Sequence, residues 1–244
     1  SIADPNINQL NANLEVLLQD IKQTKYSSDV GNLIKGIKKY PDYFKMLYSD
    51  IDVLNICLPH HMHENAILLG LINNKHCIVE KPLTLSYAQA LKIRSMADKR
   101  KNKVALISQN RYNTEITWLM KEMFDKDLFP KKIEFSVDWF RDQSYYDQNS
   151  GWRGMADCAY GGVLTNQAYH QLDLALWMFN YDGHEVEVTN SENSINREMH
   201  PKIEVVDTVR GNILLKNGLI SYFATTCSPS RKDTTIFKVF FEQG

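Results

Sequence analysis

Cys77-Ile78-Val79-Glu80-Lys81-Pro82-Leu83-Thr84-Leu85 is the stretch on which the reading of this chain turns. Its opening, His76 to Val79, is short, apolar and β-branched at its centre, and a helical pattern begins near Ser86. A strand followed directly by a helix puts Glu80 and Lys81 at the carboxyl end of the strand, where ligands bind in open α/β sheets. Lysine suits such a place, because partial burial lowers its pKa readily and lets it take and return a proton near neutral pH. Pro82 fixes the backbone after it and is a candidate for a cis bond. The same residues also fit a capped loop with a solvated lysine, so the flanking sequence decides between the two.

Working outward, Val53 to Leu58 reads as a strand, Glu64 to Asn73 as a helix, His76 to Val79 as a strand, Ser86 to Lys101 as a helix and Val104 to Ser108 as a strand. That βαβαβ succession predicts a parallel sheet with right-handed crossovers. Its apolar runs, without clean alternation, predict strands buried on both faces. Upstream, Ser1 to Asn6 reads as the end of a strand with a helix close behind, carrying Leu10, Leu14, Leu17, Leu18 and Ile21 at helical spacing. Ser27 to Ser49 is longer than a connection between strands and reads as an insertion of one or two short helices. Downstream, Asn113 to Asp125 is helical and Lys131 to Phe140 alternates as a strand. Further strands are expected over Glu185–Thr189, Val205–Leu215, Leu219–Cys227 and Ile236–Phe241, with Lys216-Asn217-Gly218 as a hairpin turn.

The 244 residues are 43% hydrophobic and 23% charged, with formal net charge -1, which describes a globular protein with material for one or two domains. The charge balance argues against nucleic acid as a partner. No apolar run reaches the length of a membrane span and no secretory pattern opens the sequence, so the expectation is a cytoplasmic protein with no membrane partner. Cys57, Cys77, Cys158 and Cys227 are far apart and show no paired spacing for zinc or redox work, so reduced, structural thiols and no metal are expected.

Two further stretches carry chemistry. Pro59-His60-His61-Met62-His63 follows a strand, and a His-x-His pair there could hold a metal, although no carboxylate-rich partner motif accompanies it. Gly151-Trp152-Arg153-Gly154 precedes Gly161-Gly162-Val163-Leu164-Thr165-Asn166-Gln167-Ala168-Tyr169-His170-Gln171-Leu172-Asp173. A continuous helix there would place Asn166, His170 and Asp173 on one face and Leu164, Ala168, Leu172, Ala175 and Phe179 on another. A polar stripe on so apolar a helix needs partners or a ligand. The glycines before it permit close backbone approach, and free N–H groups at its start could hold an anionic oxygen.

Glu80-Lys81-Pro82 after a sheet strand, Pro59-x-x-x-His63, and Gly161-Gly162-x-Leu164-x-Asn166-x-Ala168-x-His170-x-x-Asp173 together resemble the Gfo/Idh/MocA family, the glucose-fructose oxidoreductase and inositol dehydrogenase group, over nearly the whole chain. The resemblance implies an α/β protein: an N-terminally incomplete Rossmann-like parallel sheet over 1–109, binding a dinucleotide, and an α/β domain with an open, mainly antiparallel sheet over 110–244, binding substrate and serving oligomerisation. It implies NAD as cofactor, with NADP an alternative, and Asp4, Pro59, His60, His63, Glu80, Lys81 and Gln109 on the cofactor. It implies Lys81 and His170 as proton-transfer groups, and Arg111, Trp152, Arg153, Asn166, Gln167 and Asp173 around a sugar or nucleotide-sugar substrate. Homo-oligomers, dimer or tetramer, are expected on the open sheet face.

Four departures qualify it. The Gly-x-Gly-x-x-Gly pyrophosphate turn is not among these residues, which predicts weak NAD binding by them alone. Leu58 stands where a small polar residue is usual. Asn166 replaces the motif's acid and Ala168 its later glycine; Asn at that place is similar to the branch acting at C3 of UDP-N-acetylglucosaminuronate. An amide can hold a sugar hydroxyl but cannot act as a base. The competing readings are an inositol or other sugar dehydrogenase, and a non-catalytic sugar-binding or scaffold protein.

Overall fold

The computed structural model describes residues 1–22, 27–184 and 186–242. The Ile21 side chain, Glu185 and the final Gln243-Gly244, all named above, lie outside the described residues. The chain opens with β1 (Ile2–Ala3), α1 (Ile7–Lys22), α2 (Ser27–Lys35), β2 (Lys39–Tyr40) and α3 (Tyr43–Leu47). The Asn6 side chain accepts from the Gln9 amide at 3.0 Å and so caps the start of α1. Leu10 and Leu14 of α1 bury against Ile34 of α2. The two short helices expected over Ser27–Ser49 are α2 and α3, but between them stands a strand: β2 runs parallel to β1, with Ile2 opposite Lys39. Two residues, Lys39-Tyr40, give no periodicity to read, so sequence patterning passed over this strand.

Next come β3 (Val53–Ile56), α4 (His63–Ile72), β4 (His76–Val79), α5 (Tyr87–Arg100) and β5 (Val104–Leu106). They form a three-stranded parallel sheet in the order β3-β4-β5, as the βαβαβ pattern predicts. Burial on both faces does not occur among the described residues. Leu54, Ile56, Cys77 and Val79 are buried with Ala66, Ile67 and Leu71 of α4, while Val53 and Ile78 on the opposite face are exposed. The side chains alternate because both α4 and α5 lie on one side, in contact with each other. Ser86 stops the chain after β4 and starts α5 with a reciprocal cap: its hydroxyl accepts from the Gln89 amide while Gln89 Oε1 accepts from the Ser86 amide.

The remainder is α6 (Thr114–Asp125), β6 (Pro130–Asp138), α7 (Gln143–Asp147), α8 (Gly162–Asn166), α9 (Tyr169–Met178), β7 (Glu187–Ser194), β8 (Thr208–Leu215), β9 (Gly218–Thr225) and β10 (Thr234–Phe241). Its five-stranded sheet has the order β10-β6-β9-β8-β7, antiparallel except for β6 against β9. The fold is thus α/β, small parallel sheets followed by a mixed, mainly antiparallel one. Strand β7 runs on to Ser194, past the expected end at Thr189, through a register shift between Thr189 and Glu192 that breaks the alternation. The two residues Lys216-Asn217 join β8 to β9. Ile133, Phe135, Val137, Ile213, Ile220 and Ala224 bury one sheet face against Ala168, Ala175, Met178 and Phe179. Among the described residues no helix is long and apolar enough to cross a membrane.

Beside this core, His200 and Asp207 form a fully buried ion pair, Nδ1 to Oδ2 at 2.7 Å, and His200 Nε2 donates to the Arg141 carbonyl at 2.7 Å. With an acceptor at each nitrogen the ring is an imidazolium. Burial opposes that charge, but the bonds to Asp207, Cys227 and the Arg141 carbonyl outweigh it and raise His200 from 6.5 to about 10. A raised folded-state pKa gives stability that is complete below 6.5 and lost as pH climbs through 10. Chemical denaturation across that window should therefore show stability falling with rising pH, and His200→Gln should flatten the slope.

Candidate active site

The site assembles where the carboxyl ends of β3, β4 and β5 face α8 and α9. Beyond β3, the His60–Met62 turn leads into α4; beyond β4 stand Glu80, Lys81 and Pro82; beyond β5, Gln109–Tyr112 form a single-turn 3-10 helix. The Lys81–Pro82 bond is cis. Lys81 Nζ donates to the Asn166 carbonyl at 2.6 Å, which joins the end of β4 to the end of α8. Burial lowers the Lys81 pKa; Glu80 opposes the shift and Arg153 adds to it. That direction is the one a proton-transfer lysine requires.

The helix expected to run unbroken through Asn166 and Asp173 is broken at Gln167-Ala168 into α8 and α9. Asn166 therefore offers Lys81 a carbonyl freed by the break, whereas His170 and Asp173 sit together on α9. The glycines set up this geometry. Gly161 and Gly162 have φ of 89° and 53°, and a Cβ on Gly162 would lie 2.2 Å from the Val206 carbonyl oxygen. Two of the N–H groups expected to be free for an anion are taken: Gly162 N–H donates to Ala159 O and Val163 N–H to Val206 O.

Four hydrogen bonds from three residues cross from the β5 end to α9. Ser108 Oγ meets Tyr169 OH at 3.3 Å, Gln109 Nε2 meets His170 Nε2 at 3.2 Å, and Arg111 grips Asp173 through Nε and Nη2 at 2.8 and 2.6 Å. Arg111 also lies over the Trp177 ring at 5.1 Å. The bond to Asp173 raises Arg111 despite burial. Arg111 and Asp173, expected to hold substrate, are thus each other's partners. With the Gln109 amide donating to Nε2, neutral His170 carries its proton on Nδ1, which is buried without a partner. Burial and then Lys81 lower its pKa, against Asp173 and Glu80.

The opposite wall is cationic and aromatic. The Arg153 guanidinium lies 4.7 Å from the Trp152 ring and 5.4 Å from the Tyr145 ring, and its Nη1 is buried without a hydrogen-bond partner. Trp152 meets His60 edge-on at 4.7 Å, so this wall touches the β3 loop. Burial, then His63, Lys81 and Arg153, push His60 down to about 3, which keeps it neutral. Gln167 Nε2 donates to Tyr145 OH at 3.3 Å. Tyr145 was not singled out in the sequence; its signal was the Asp142 cap ahead of a short aromatic helix, where Asp142 accepts from the Tyr145 amide.

One expected cofactor residue behaves otherwise. His63 is fully buried, with Nδ1 2.7 Å from Pro82 O and Nε2 2.8 Å from Leu58 O, so its ring ties the β3 and β4 loops together instead of facing a ligand. The same bonds leave His63 no nitrogen for a His-x-His metal pair. Asp4 ends β1, and its carboxylate accepts from the Asn6 amide at 2.7 Å. Pro59, Glu80 and Gln109 lie at the three strand ends, where a nicotinamide nucleotide fits an open parallel sheet.

Comparison with known proteins agrees with this architecture. Residues 20–108 match the oxidoreductase family with an NAD-binding Rossmann fold, and residues 120–244 match the Gfo/Idh/MocA C-terminal domain. The chain belongs to the Gfo/Idh/MocA oxidoreductase family. It is 30% identical over 131 residues to the levoglucosan dehydrogenase of Pseudarthrobacter phenanthrenivorans, covering 53% of this chain and 33% of that protein. The WlbA dehydrogenase from Bordetella pertussis, solved with NADH and UDP-GlcNAcA, superposes with TM-score 0.75 at 21% identity, over 90% of this chain and 64% of that one. A levoglucosan dehydrogenase with NADH and levoglucosan gives 0.71 at 21% identity, over 88% and 59%. At these identities the structures share the fold, and this chain spans a third of the first relative's length.

Gly162→Ala should destabilise the chain by more than about 2 kcal/mol, because backbone at Val206 cannot yield. Gly161→Ala should cost less, since a Cβ there meets only the Thr165 side chain. Urea titration of both variants measures the difference.

Proposed function

We propose that the chain carries the catalytic and sugar-binding groups of an NAD(P)-dependent dehydrogenase that oxidises a secondary hydroxyl of a sugar acid, C3 of a UDP-N-acetyl sugar acid in the most specific form. The observation that carries this reading is the cleft itself: Lys81, held at 2.6 Å on the Asn166 carbonyl, faces a wall whose Arg153 has a buried, unpartnered donor. In this reading residues 1–109 form the dinucleotide-binding unit and 110–244 the substrate and oligomerisation unit. Self-association would use the sheet face opposite α9, and NADP is the alternative cofactor.

The protein's part is geometry and proton transfer. Bound nicotinamide supplies hydride acceptance. Pro59, His60, Glu80 and Gln109, at the strand ends, are the residues to hold that group. Lys81 in its neutral form takes the hydroxyl proton, and burial, which lowers its pKa, supplies that form. His170, neutral and oriented by Gln109, is the second proton carrier. Arg153 pairs with the substrate's negative charge while Trp152 and Tyr145 hold its plane. Asn166 and Gln167 offer amides to hydroxyls, and Arg111 with Asp173 fix α9 against the β5 end. The WlbA structure with UDP-GlcNAcA supports an acidic sugar, as does Asn in place of an acid at 166.

In a version that also carries the Gly-x-Gly-x-x-Gly turn, Lys81→Met should lower kcat and kcat/KM together, by about a hundredfold or more, in NAD reduction assays. Arg153→Met should raise KM for a UDP-sugar acid while sparing a neutral sugar such as inositol. Asn166→Asp, which adds repulsion and a desolvated charge, should also cost more with the acid than with the neutral sugar. A Lys81 variant of normal kcat removes the mechanism; equal losses on both sugars remove the acidic substrate; sugar binding without turnover favours a non-catalytic binder.

A further inference from the structure

On the far side of α7 from the cleft, three ligand-type side chains meet. His200 comes from the loop between β7 and β8, Asp207 directly precedes β8, and Cys227 follows β9. His Nδ1, a carboxylate oxygen of Asp207 and Cys Sγ all lie within 4.8 Å of one another. Asp207 Oδ2 is 2.7 Å and Cys227 Sγ is 3.7 Å from the same Nδ1. His200 and Asp207 are fully buried, while Cys227 is half-buried and gives solvent access. An ion pair accounts for the first two groups. It does not account for a thiol converging on the same nitrogen.

We propose that His200, Asp207 and Cys227 form a site for a borderline divalent cation of the zinc class, with water in the fourth position. Imidazole, carboxylate and thiolate are the ligands zinc takes, at about 2.0–2.3 Å, in tetrahedral geometry that sets ligand atoms about 3.4 Å apart. The His–Cys spacing already suits this, and the His–Asp spacing has to open by roughly half an ångström or more. The surroundings match those of metal ligands, whose outer nitrogen and oxygen atoms are held by neighbours. His200 Nε2 donates to the Arg141 carbonyl at 2.7 Å, the Asn196 amide donates to Asp207 Oδ2 at 2.8 Å, and Thr208 Oγ1 donates to Asp207 Oδ1 at 3.1 Å. Binding displaces the proton on Nδ1 and the thiol proton, so two protons leave as the cation arrives. No paired cysteine motif announced the site, because its donors come from three separate segments. The cation would cross-link the β7–β8 loop to the end of β9.

The test is equilibrium dialysis of the chelator-stripped chain against zinc chloride in mildly alkaline buffer, with cobalt(II) as spectroscopic substitute. One zinc per chain, a rise in Tm on addition, and a thiolate-to-cobalt charge-transfer band are expected. Cys227→Ser, a half-buried change of one atom, should weaken zinc at least about tenfold and abolish the band, whereas Cys158→Ser should leave both intact. His200→Gln should lose zinc as well, with circular dichroism reporting whether it folds; the serine variant decides if it does not. Absence of stoichiometric zinc, or equal affinity in Cys227→Ser and the unaltered chain, overturns the proposal and leaves an ion pair with an adjacent thiol.

Discussion

An ammonium group with three donors, largely withdrawn from water, needs acceptors that do not neutralise it. The Asn166 carbonyl, 2.6 Å from Lys81 Nζ, meets that need, and much of the structure follows from it. A carboxylate in direct contact would hold the lysine charged; a carbonyl gives direction without a full countercharge. A carbonyl inside an unbroken helix would be committed to the fourth residue on, so the helix has to stop at Asn166. The stop is built upstream: Gly161 and Gly162 take positive φ, Val163 donates to Val206, and α8 lasts five residues. The sheet strand that carries Lys81 and the glycine turn that frees its acceptor are thus parts of one device.

The same economy explains the contacts from Ser108, Gln109 and Arg111 to Tyr169, His170 and Asp173. Residues 108, 109 and 111 meet residues 169, 170 and 173 in the same order, so the seam has a register, and a shift of either element would break all three contacts. Arg111 is about a third exposed and Asp173 mostly covered, a setting in which a two-pronged guanidinium pair fixes orientation more surely than it adds stability. Paired in this way, Arg111 and Asp173 tie α9, which carries His170, to the end of β5.

The parallel sheet was legible because Val53-Leu54 and Cys77-Ile78-Val79 are apolar, short and separated by helical stretches of fitting length. Lys81 was legible from its place at a strand end, and His170 from standing in a polar stripe. The division into α8 and α9 was not: a continuous apolar pattern from Leu164 to Phe179 hides a break that depends on Val206, forty residues later. Nor was the true task of His63, because only the folded chain brings the Leu58 and Pro82 carbonyls to its two nitrogens. The contacts of Tyr145 with Gln167 and of His200 with the Arg141 carbonyl rest on long-range convergence of the same kind. Local pattern reports faces and ends; it does not report which distant backbone group completes a side chain's hydrogen bonds.

What remains unpaired in the cleft bears on what it would bind. Arg153 Nη1 and His170 Nδ1 are buried polar atoms without partners, and each such atom costs a fold about 1–3 kcal/mol. With Gln109 donating to the other His170 nitrogen, both atoms are donors, so any group that relieved them would have to bring acceptors. A neutral polyol brings hydroxyls that accept but also need acceptors of their own, and Lys81 supplies one only in its neutral form. A carboxylate or phosphate brings acceptors alone and meets Arg153 with opposite charge. Under the proposed function, the unpaired donors suit an acidic sugar on chemical grounds separate from the substitution at Asn166.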